Sequence, residues 1–168
     1  MRVFGITGAS GSGKTTLVTA LIGIFRQRGL TVSSIKHAHH DLAFDQPGKD
    51  SHRHAEAGAE EVILAANRGF ALFSGHAAPV LAELIARLLP VDLVLVEGFR
   101  DDEIPKIEVF RPQLGQAPFW PWMRLLAVAA DAPLPDCPLA VLDLNAPERI
   151  ADFIGAALQL NDCSRVKE

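Results

Sequence analysis

Eight residues near the amino end, GASGSGKT at positions 8–15, constrain the fold and the chemistry more than any other part of the sequence. They match the pattern G-x-x-x-x-G-K-[ST] and lie between a short apolar run ending at Thr7 and an amphipathic run beginning at Lys14. Glycines let the backbone curl so that successive N–H groups point inward, and the positive end of the following helix dipole adds to them. Lys14 can then reach the terminal phosphates, and the Thr15 hydroxyl can ligate a bridging magnesium ion. The loop therefore predicts a binding site for the phosphates of a nucleotide.

Strand-like and helix-like patterns alternate along the rest of the chain. A helix follows the loop and a second strand is predicted at residues 31–35, which together make a unit of the size of a βαβ crossover. Two β-like runs, EVILAA from Glu61 and FALFSG from Phe70, predict an antiparallel hairpin. Further buried strands are predicted at residues 93–96, at 107–110, in LLAVAAD from Leu125 and in PLAVLDL from Pro138, with a last helix at 145–160. The pattern predicts the α/β class, a P-loop NTPase with a doubly wound, mostly parallel sheet and an antiparallel hairpin.

Length, composition and charge narrow the class of protein. At 168 residues the chain is expected to form one nucleotide-binding domain over residues 1–168, with residues 160–168 as a disordered tail. The net charge of −4 argues against a protein that works by neutralising a nucleic-acid backbone. No apolar run approaches the roughly 20 residues of a membrane span, and no secretory signal is recognisable, so a cytoplasmic location without a membrane partner is expected. Cys137 and Cys163 fit neither a disulfide framework nor a zinc site.

Two acids flank the apolar run VDLVLVEGF and compete for a role in magnesium binding. A P-loop site needs a carboxylate for magnesium at the end of a buried strand. Asp92 precedes the run, whereas Glu97 leaves its carboxyl end, where ligands gather in open α/β sheets. The sequence therefore predicts a metal site formed by Thr15 and Glu97. The alternative for Glu97 is an exposed loop acid, since the glycine that follows it also marks an ordinary turn.

Asp131 ends the run LLAVAAD, and it is the candidate for contact with the base. GTPases carry an acid at this position that accepts hydrogen bonds from the ring N–H and the exocyclic amine of guanine. The Asn and Lys that usually precede that acid are absent, because Val128, Ala129 and Ala130 occupy those positions. Guanine is favoured over adenine, and the structural alternative is that Asp131 simply opens the turn toward Pro133.

Five of the six histidines fall within the longest predicted loop, residues 36–57. Three interpretations compete: the imidazoles bind zinc or nickel, the segment holds an anionic partner or the nucleotide's own phosphates, or the side chains only order the loop. The acids Asp41, Asp45 and Asp50 of this loop are candidates for a second magnesium contact or for positioning an attacking water. Asp45 and Asp50 are the candidate catalytic residues. The ligand or partner candidates of this loop are Lys36, His37, His39, His40, Lys49, Asp50 and Ser51.

Four stretches together resemble one known family. They are GITGASGSGKTTL, IKHAHHDLAFDQPGKDSHRHAEAGAEEVILA, LVLVEGFRDDEIPKIEVFR and LLAVAADAPL. From Val3 to the last helix the chain is similar to the MobB family, the GTP-binding adapter proteins of molybdenum cofactor biosynthesis. The KHxHH and PGKDS pair, between Lys36 and Ser51, is the most specific part, because the P-loop alone occurs in many NTPases.

The resemblance implies a fold, a ligand and a partner. The fold is that of the P-loop class containing MinD, dethiobiotin synthetase and metallocentre-assembly GTPases, usually as a homodimer that binds GTP and magnesium and hydrolyses GTP slowly. Members associate with MobA, the guanylyltransferase that joins GMP to molybdopterin, so a MobA-type partner is implied, and contact with molybdopterin itself stays open. By position, the resemblance assigns phosphate binding to Gly11, Ser12, Gly13, Lys14, Thr15 and Thr16, magnesium to Thr15 and Glu97, and the base to Asp131.

One segment departs from the common family pattern, and it bears on the partner. RPQLGQAPFWPWMR, residues 111–124, is predicted to be a loop rich in proline and aromatic residues, and the part from Gln113 to Trp122 departs from common members by being unusually rich in proline and tryptophan. Trp120 and Trp122 either anchor a partner or cover a hydrophobic edge of the same chain, and the second role is favoured.

Three functions are compatible with these residues. The leading hypothesis is a nucleotide-dependent adapter in molybdopterin guanine dinucleotide biosynthesis, in which GTP orders the loop of residues 36–57 and hydrolysis is weak. A P-loop small-molecule kinase is the alternative from another class, although a kinase needs a lid with arginines and the arginines here are scattered. A metal-inserting accessory GTPase would use the histidine-rich loop instead.

Overall fold

The structure, a computed structural model, describes residues 1–38, 49–75, 80–121 and 123–160. In chain order the elements are β1 Arg2–Thr7, α1 Lys14–Gln27, β2 Val32–Lys36, α2 Asp50–Glu56, β3 Glu61–Ala66, β4 Gly69–Ser74, α3 Leu81–Arg87, β5 Leu93–Glu97, β6 Lys106–Phe110, a 3₁₀ turn Pro112–Leu114, β7 Ala127–Ala130, β8 Ala140–Asp143 and α4 Pro147–Leu158. The chain divides into two compact units, one of Met1–His37 with Leu84–Glu168 and the other of Ala38–Glu83.

The first unit contains a six-stranded sheet in the order β2-β5-β1-β6-β7-β8. Every neighbouring pair in it is parallel. The crossovers place α1 and α4 together over the sheet, where they contact each other. The predicted α/β fold with a mostly parallel sheet is confirmed.

The core of this unit lies between the sheet and these two helices. All five residues of β5 are buried, as expected for a central strand covered on both faces. The helix α1 buries one stripe of apolar side chains at helical spacing, and α4 buries another. These core residues are Leu17, Val18, Leu21 and Phe25 of α1 and Ile150, Ala151, Ile154 and Leu158 of α4. Each fully buried Leu, Ile or Phe contributes about 1.5–3 kcal/mol relative to an exposed side chain.

The parallel arrangement brings the carboxyl ends of all six strands to one edge of the sheet. In the register of the central strands, Glu97 of β5 lies opposite Ile6 of β1 and opposite Lys36 of β2. On the other side of β1, the last residue of β6, Phe110, is paired with Ala130, the last residue of β7. The segments that follow β1, β2, β5, β6 and β7 therefore all begin at this edge.

The second unit contains the antiparallel hairpin of β3 and β4. Its register runs from Glu61 opposite Ser74 to Ala66 opposite Gly69, which confirms the predicted hairpin. The helix α2 packs against β3. The sequence predicted a loop throughout residues 36–57, and this is wrong for Asp50–Glu56. The short helix carries an acid in its first turn and basic residues in its last turn, which suits the helix dipole.

The segment rich in proline and aromatics is anchored to β6. The Phe119 N–H donates to both carboxylate oxygens of Glu108 at 3.0 Å. The Trp120 ring packs edge-on against Phe110, with the ring centroids 5.0 Å apart. Trp120 thus covers the same chain, the favoured interpretation, whereas Trp122 and residues 161–168 of the predicted tail lie outside the described ranges. Within those ranges no helix has the length and apolarity to span a membrane.

Candidate nucleotide-binding site

The glycine-rich loop connects β1 to α1 and packs directly on β6. Gly8 has a φ of +139°, and a Cβ atom added there would clash with the carbonyl oxygen of Val109. Only glycine tolerates both the backbone conformation and the close approach. The first glycine of the motif is therefore required by packing, before any ligand is considered.

The amino end of α1 is open to an anion. Gly13 is the N-cap residue in the left-handed conformation, with a φ of 101°, and no side chain among the described residues caps the helix. The first N–H groups of α1, those of Lys14, Thr15 and Thr16, have no partner inside the helix and carry the positive end of its dipole. This is the geometry that binds phosphate at helix termini.

Lys14 folds back over the loop. Its Nζ donates to the Ala9 carbonyl at 2.7 Å. Burial lowers the pKa of Lys14, and the nearby Glu97 carboxylate opposes that shift. A phosphate group would give the ammonium a charged acceptor in place of a neutral carbonyl, which makes a stronger hydrogen bond.

Thr15 and Glu97, the two residues of the predicted metal site, form a hydrogen bond although they lie 82 positions apart in the sequence. The Thr15 hydroxyl lies 2.8 Å from one Glu97 carboxylate oxygen and 3.0 Å from the other. The Glu97 side chain is 9% exposed. A hydroxyl and a carboxylate beside a phosphate site are the hard oxygen ligands that Mg²⁺ prefers, so these residues fit the predicted metal.

A cation already contacts these oxygens. Lys36, the last residue of β2, places its Nζ 3.1 Å from the Thr15 hydroxyl and 3.3 Å from Glu97 Oε1. The ammonium neutralises the carboxylate, which is costly to bury without a partner. The sequence suggested Lys36 as a loop or ligand residue but did not suggest this contact.

Asp92 lies at the other end of β5 and has a different role. Its Oδ2 accepts hydrogen bonds from the Thr31 N–H at 2.7 Å and from the Thr31 hydroxyl at 2.6 Å. The hydrogen bond from the Thr31 side chain lowers the pKa of Asp92. The choice of Glu97 over Asp92 for the metal site is therefore consistent with the geometry.

Asp131 follows β7 and is held by two side chains from the segment after β6. Its Oδ2 accepts a hydrogen bond from Arg111 Nη1 and another from Gln113 Nε2 at 2.8 Å. The hydrogen bond from Gln113 and the charge of Arg111 lower the pKa of Asp131, so this carboxylate is ionised. The Oδ1 atom is buried and has no hydrogen-bond partner among the residues that the structure describes.

Residues 3–131 match the family model described as "Molybdopterin guanine dinucleotide synthesis protein B", MobB. The chain belongs to the MobB family. It is 43% identical over 155 residues to the "Molybdopterin-guanine dinucleotide biosynthesis adapter protein" of Haemophilus influenzae, covering 90% of this chain and 86% of that protein. The protein of the same name from Escherichia coli is 41% identical over 154 residues, with 86% of each chain covered.

Solved MobB structures share the fold. The crystal structure titled "molybdopterin-guanine biosynthesis protein B (mobB)" has a TM-score of 0.71 at 30% identity, covering 93% of this chain and 99% of that one. Bacillus subtilis MobB has a TM-score of 0.75 and covers 96% and 100%. At 20% identity the second likeness shows the fold alone.

The other candidate ligand and partner residues, those of the histidine-rich segment, lie in different parts of the chain. Residues His39, His40 and Asp45 lie outside the described ranges, while Lys49, Asp50 and Ser51 lie at the start of α2 in the second unit. His37 follows β2, and its ring stacks on Phe99 with 4.7 Å between the centroids. In the described parts of the chain, no group of three or more His, Cys, Asp or Glu residues is arranged to hold a metal ion.

Sequence reasoning missed Arg111 and Gln113 in this MobB site. In the sequence, Arg111 is one of several scattered arginines and Gln113 is only part of a predicted loop. The available signal was positional, because Arg111 directly follows β6, whose end is paired with the strand that carries Asp131.

Proposed function

We propose that this chain is a GTP-binding adapter in molybdopterin guanine dinucleotide biosynthesis that assists a MobA-type guanylyltransferase. Membership in the MobB family supports the pathway, and the names of the relatives from H. influenzae and E. coli support the role of an adapter. A cytoplasmic location is also part of the proposal.

The observation that carries the proposal is the hydrogen bond between Thr15 and Glu97 beside the start of α1, which no described side chain caps. The N–H groups of the loop and of the first helical turn, residues 11–16, would bind the phosphates. Lys14 would exchange the Ala9 carbonyl for a phosphate oxygen. Thr15 and Glu97 would hold Mg²⁺, which supplies positive charge to the phosphate oxygens, and the metal would compete with Lys36 for these ligands.

Guanine is the base that suits Asp131. An ionised carboxylate accepts the ring N–H of guanine, whereas adenine presents a bare ring nitrogen that the carboxylate repels. The Oδ1 atom, which has no hydrogen-bond partner in the described part of the chain, is the proposed acceptor for this contact. Hydrolysis is proposed to be weak, with Asp45 and Asp50 as the candidates for positioning the attacking water.

The adapter role requires a nucleotide-dependent surface. We propose that GTP favours one arrangement of residues 36–57, beginning at Lys36, and that this arrangement contacts the guanylyltransferase. A nucleotide that bound both arrangements equally would shift nothing.

A homodimer is also part of the proposal, and the hairpin is its most suitable surface. In the register of β3 and β4, Ile63 lies opposite Leu72 and Ala65 lies opposite Phe70, so these residues share one face. Ile63 is 64% exposed and Phe70 is 74% exposed. Exposed apolar surface of this kind marks an interaction site, and a second copy of the chain is the proposed occupant.

Calorimetry with GTP and ATP in magnesium tests the nucleotide assignment. GTP is expected to bind more tightly, and Lys14→Ala is expected to weaken GTP binding about tenfold or more, because a hydrogen bond between charged groups is lost. Arg26→Ala changes an exposed cation in the last turn of the same helix and serves as the control. Equal or reversed affinities for the two nucleotides would overturn the base assignment.

A pull-down tests the adapter role. The purified chain is mixed with the MobA-type guanylyltransferase in the presence of GTP, of GDP or of no nucleotide. More complex is expected with GTP, and Lys14→Ala should abolish that increase. Failure of the enzyme to co-purify in any of the three conditions would contradict the proposed partner.

A further inference from the structure

The guanidinium of Arg111 joins two parts of the site. Its Nε donates to the Ser12 carbonyl in the phosphate loop at 2.9 Å, and its Nη1 donates to Asp131 Oδ2. It also lies against the start of α1, since a Cβ atom added at Gly13 would be 3.5 Å from Nη2. The Arg111 side chain is 31% exposed and that of Asp131 is 12% exposed, so the link is largely shielded from water.

The two oxygens of Asp131 are used differently. Oδ2 accepts hydrogen bonds from Arg111 and Gln113, which fixes the plane and the orientation of the carboxylate. Oδ1 is buried without a donor in the described part of the chain. A buried oxygen that lacks a donor is unfavourable, and a ligand N–H would remove that cost. One oxygen therefore holds the carboxylate in place while the other is left for a ligand.

We propose that Arg111 is a positioning residue for base selection, which orients Asp131 toward the purine and ties it to the phosphate loop. This inference rests on the proposed GTP-binding function. The rigid fork of the guanidinium allows one side chain to reach both acceptors, and a lysine ammonium on a flexible stem cannot reproduce that geometry.

The link couples the two ends of the nucleotide. Arg111 holds the Ser12 carbonyl on one side and Asp131 on the other, so ordering of the loop by phosphates also orders the base acceptor. The phosphates of the nucleotide should therefore increase the affinity for a purine with a ring N–H more in the wild type than in a variant without the Arg111 guanidinium. Coupling of this kind is a difference in binding free energy and is measurable in both directions.

Arg111→Lys tests the proposal, with GTP, ATP and inorganic tripolyphosphate as ligands in magnesium. The variant keeps the positive charge beside the loop, so tripolyphosphate affinity is expected to change less than about threefold. The ratio of GTP affinity to ATP affinity is expected to fall about tenfold or more, as for the loss of a hydrogen bond to a charged acceptor. Arg28→Lys is the matched control, because Arg28 forms an ion pair with Asp152 at 2.7 Å, is 29% exposed and lies at the other end of α1.

The outcomes separate the two proposals. A wild-type protein that binds GTP and ATP equally would overturn the guanine assignment itself. A selective wild type and an equally selective Arg111→Lys variant would overturn only the role of Arg111. If the affinities for all three ligands fell by the same factor, Arg111 would be merely structural, and this result would also overturn the inference.

Gln113→Ala keeps the experiment decisive if Arg111→Lys does not fold. Gln113 lies on the exposed 3₁₀ turn and donates a hydrogen bond to the same Asp131 oxygen. Its loss should lower the ratio of GTP to ATP affinity with tripolyphosphate affinity unchanged. An unchanged ratio would show that the orientation of Asp131 does not set base selection.

Discussion

Among the residues of the site, Glu97 has the clearest proposed chemistry, which is binding of Mg²⁺. Glu97→Gln keeps the shape of the side chain but removes the charge that attracts Mg²⁺. The ratio of GTP affinity in magnesium to GTP affinity in EDTA is expected to fall about tenfold, while the affinity in EDTA changes little. Calorimetry in the two buffers measures this ratio.

Asp92→Asn is the matched control for Glu97→Gln. Asp92 lies at the opposite end of β5 and is bound to Thr31, so its loss should leave the magnesium dependence intact. If Glu97→Gln retained the full magnesium effect, the metal ligand would have to be another acid.

Glu108 makes a different prediction, which concerns pH and stability. This side chain is buried within β6, and burial raises its pKa above the ordinary value of 4.5, with the N–H groups of Phe119 and Trp120 opposing the shift. The folded state therefore binds the Glu108 proton at pH values where the unfolded state has released it. Stability must then fall as the pH rises from about 4.5 through the raised pKa, since the native state holds more protons.

Glu108→Gln removes this titration. Urea unfolding of both proteins between about pH 4 and 8 gives their free energies of unfolding. The value for the wild type minus the value for the variant should decline as the pH rises. Glu103→Gln, at an exposed position after β5, is the control and should show a constant difference. A difference for Glu108→Gln that is constant or grows with pH would be incompatible with the raised pKa.

At the scale of elements, the loop between β1 and α1 depends on Gly8. Gly8→Ala forces a methyl group into the Val109 carbonyl and a strained φ, so the unfolding free energy is expected to fall by more than about 2 kcal/mol. Gly23→Ala lies within α1 with open space around its added Cβ, and it should stabilise the protein by about 0.5–1 kcal/mol. Chemical denaturation of the two variants measures the change in unfolding free energy, which should be a decrease for Gly8→Ala and an increase for Gly23→Ala. An unchanged stability of Gly8→Ala would contradict the close packing of the loop on β6.

What the sequence predicted correctly is mainly local. The strand, glycine loop and helix at the amino end, and the hairpin at residues 61–74, follow from periodicity and turn residues within short windows. Glu97 is predicted as a metal ligand because the carboxyl end of a buried strand is a position that the fold class fixes in advance, and this role stays a prediction. The helix α2 was missed, because its seven residues are too few to show a helical period.

The contacts that were not predicted depend on the register between strands that are distant in the sequence. Arg111 reaches Ser12 across 99 positions and Asp131 across 20. Lys36 meets Thr15 only because β2 and β1 both flank β5. The spacing of residues in a single sequence does not predict such contacts. The positions of strand ends predict only which residues lie at the same edge of the sheet.

The proposed homodimer forms through the hairpin of β3 and β4, and it determines the mass of the protein in solution. A two-stranded sheet is only marginally stable by itself. One face of this hairpin exposes the apolar side chains of Ile63, Leu72 and Phe70, and a second copy of the chain would bury them. The wild type is expected to sediment with twice the mass of one chain. The double variant Ile63→Asp with Phe70→Asp should sediment as a monomer, because charge placed in an apolar interface is desolvated without a partner. Leu89→Asp, which changes an 82% exposed leucine of the first unit, should remain a dimer. A monomeric wild type, or a double variant that stays dimeric with an unchanged circular dichroism spectrum, would show that a second copy does not occupy this face.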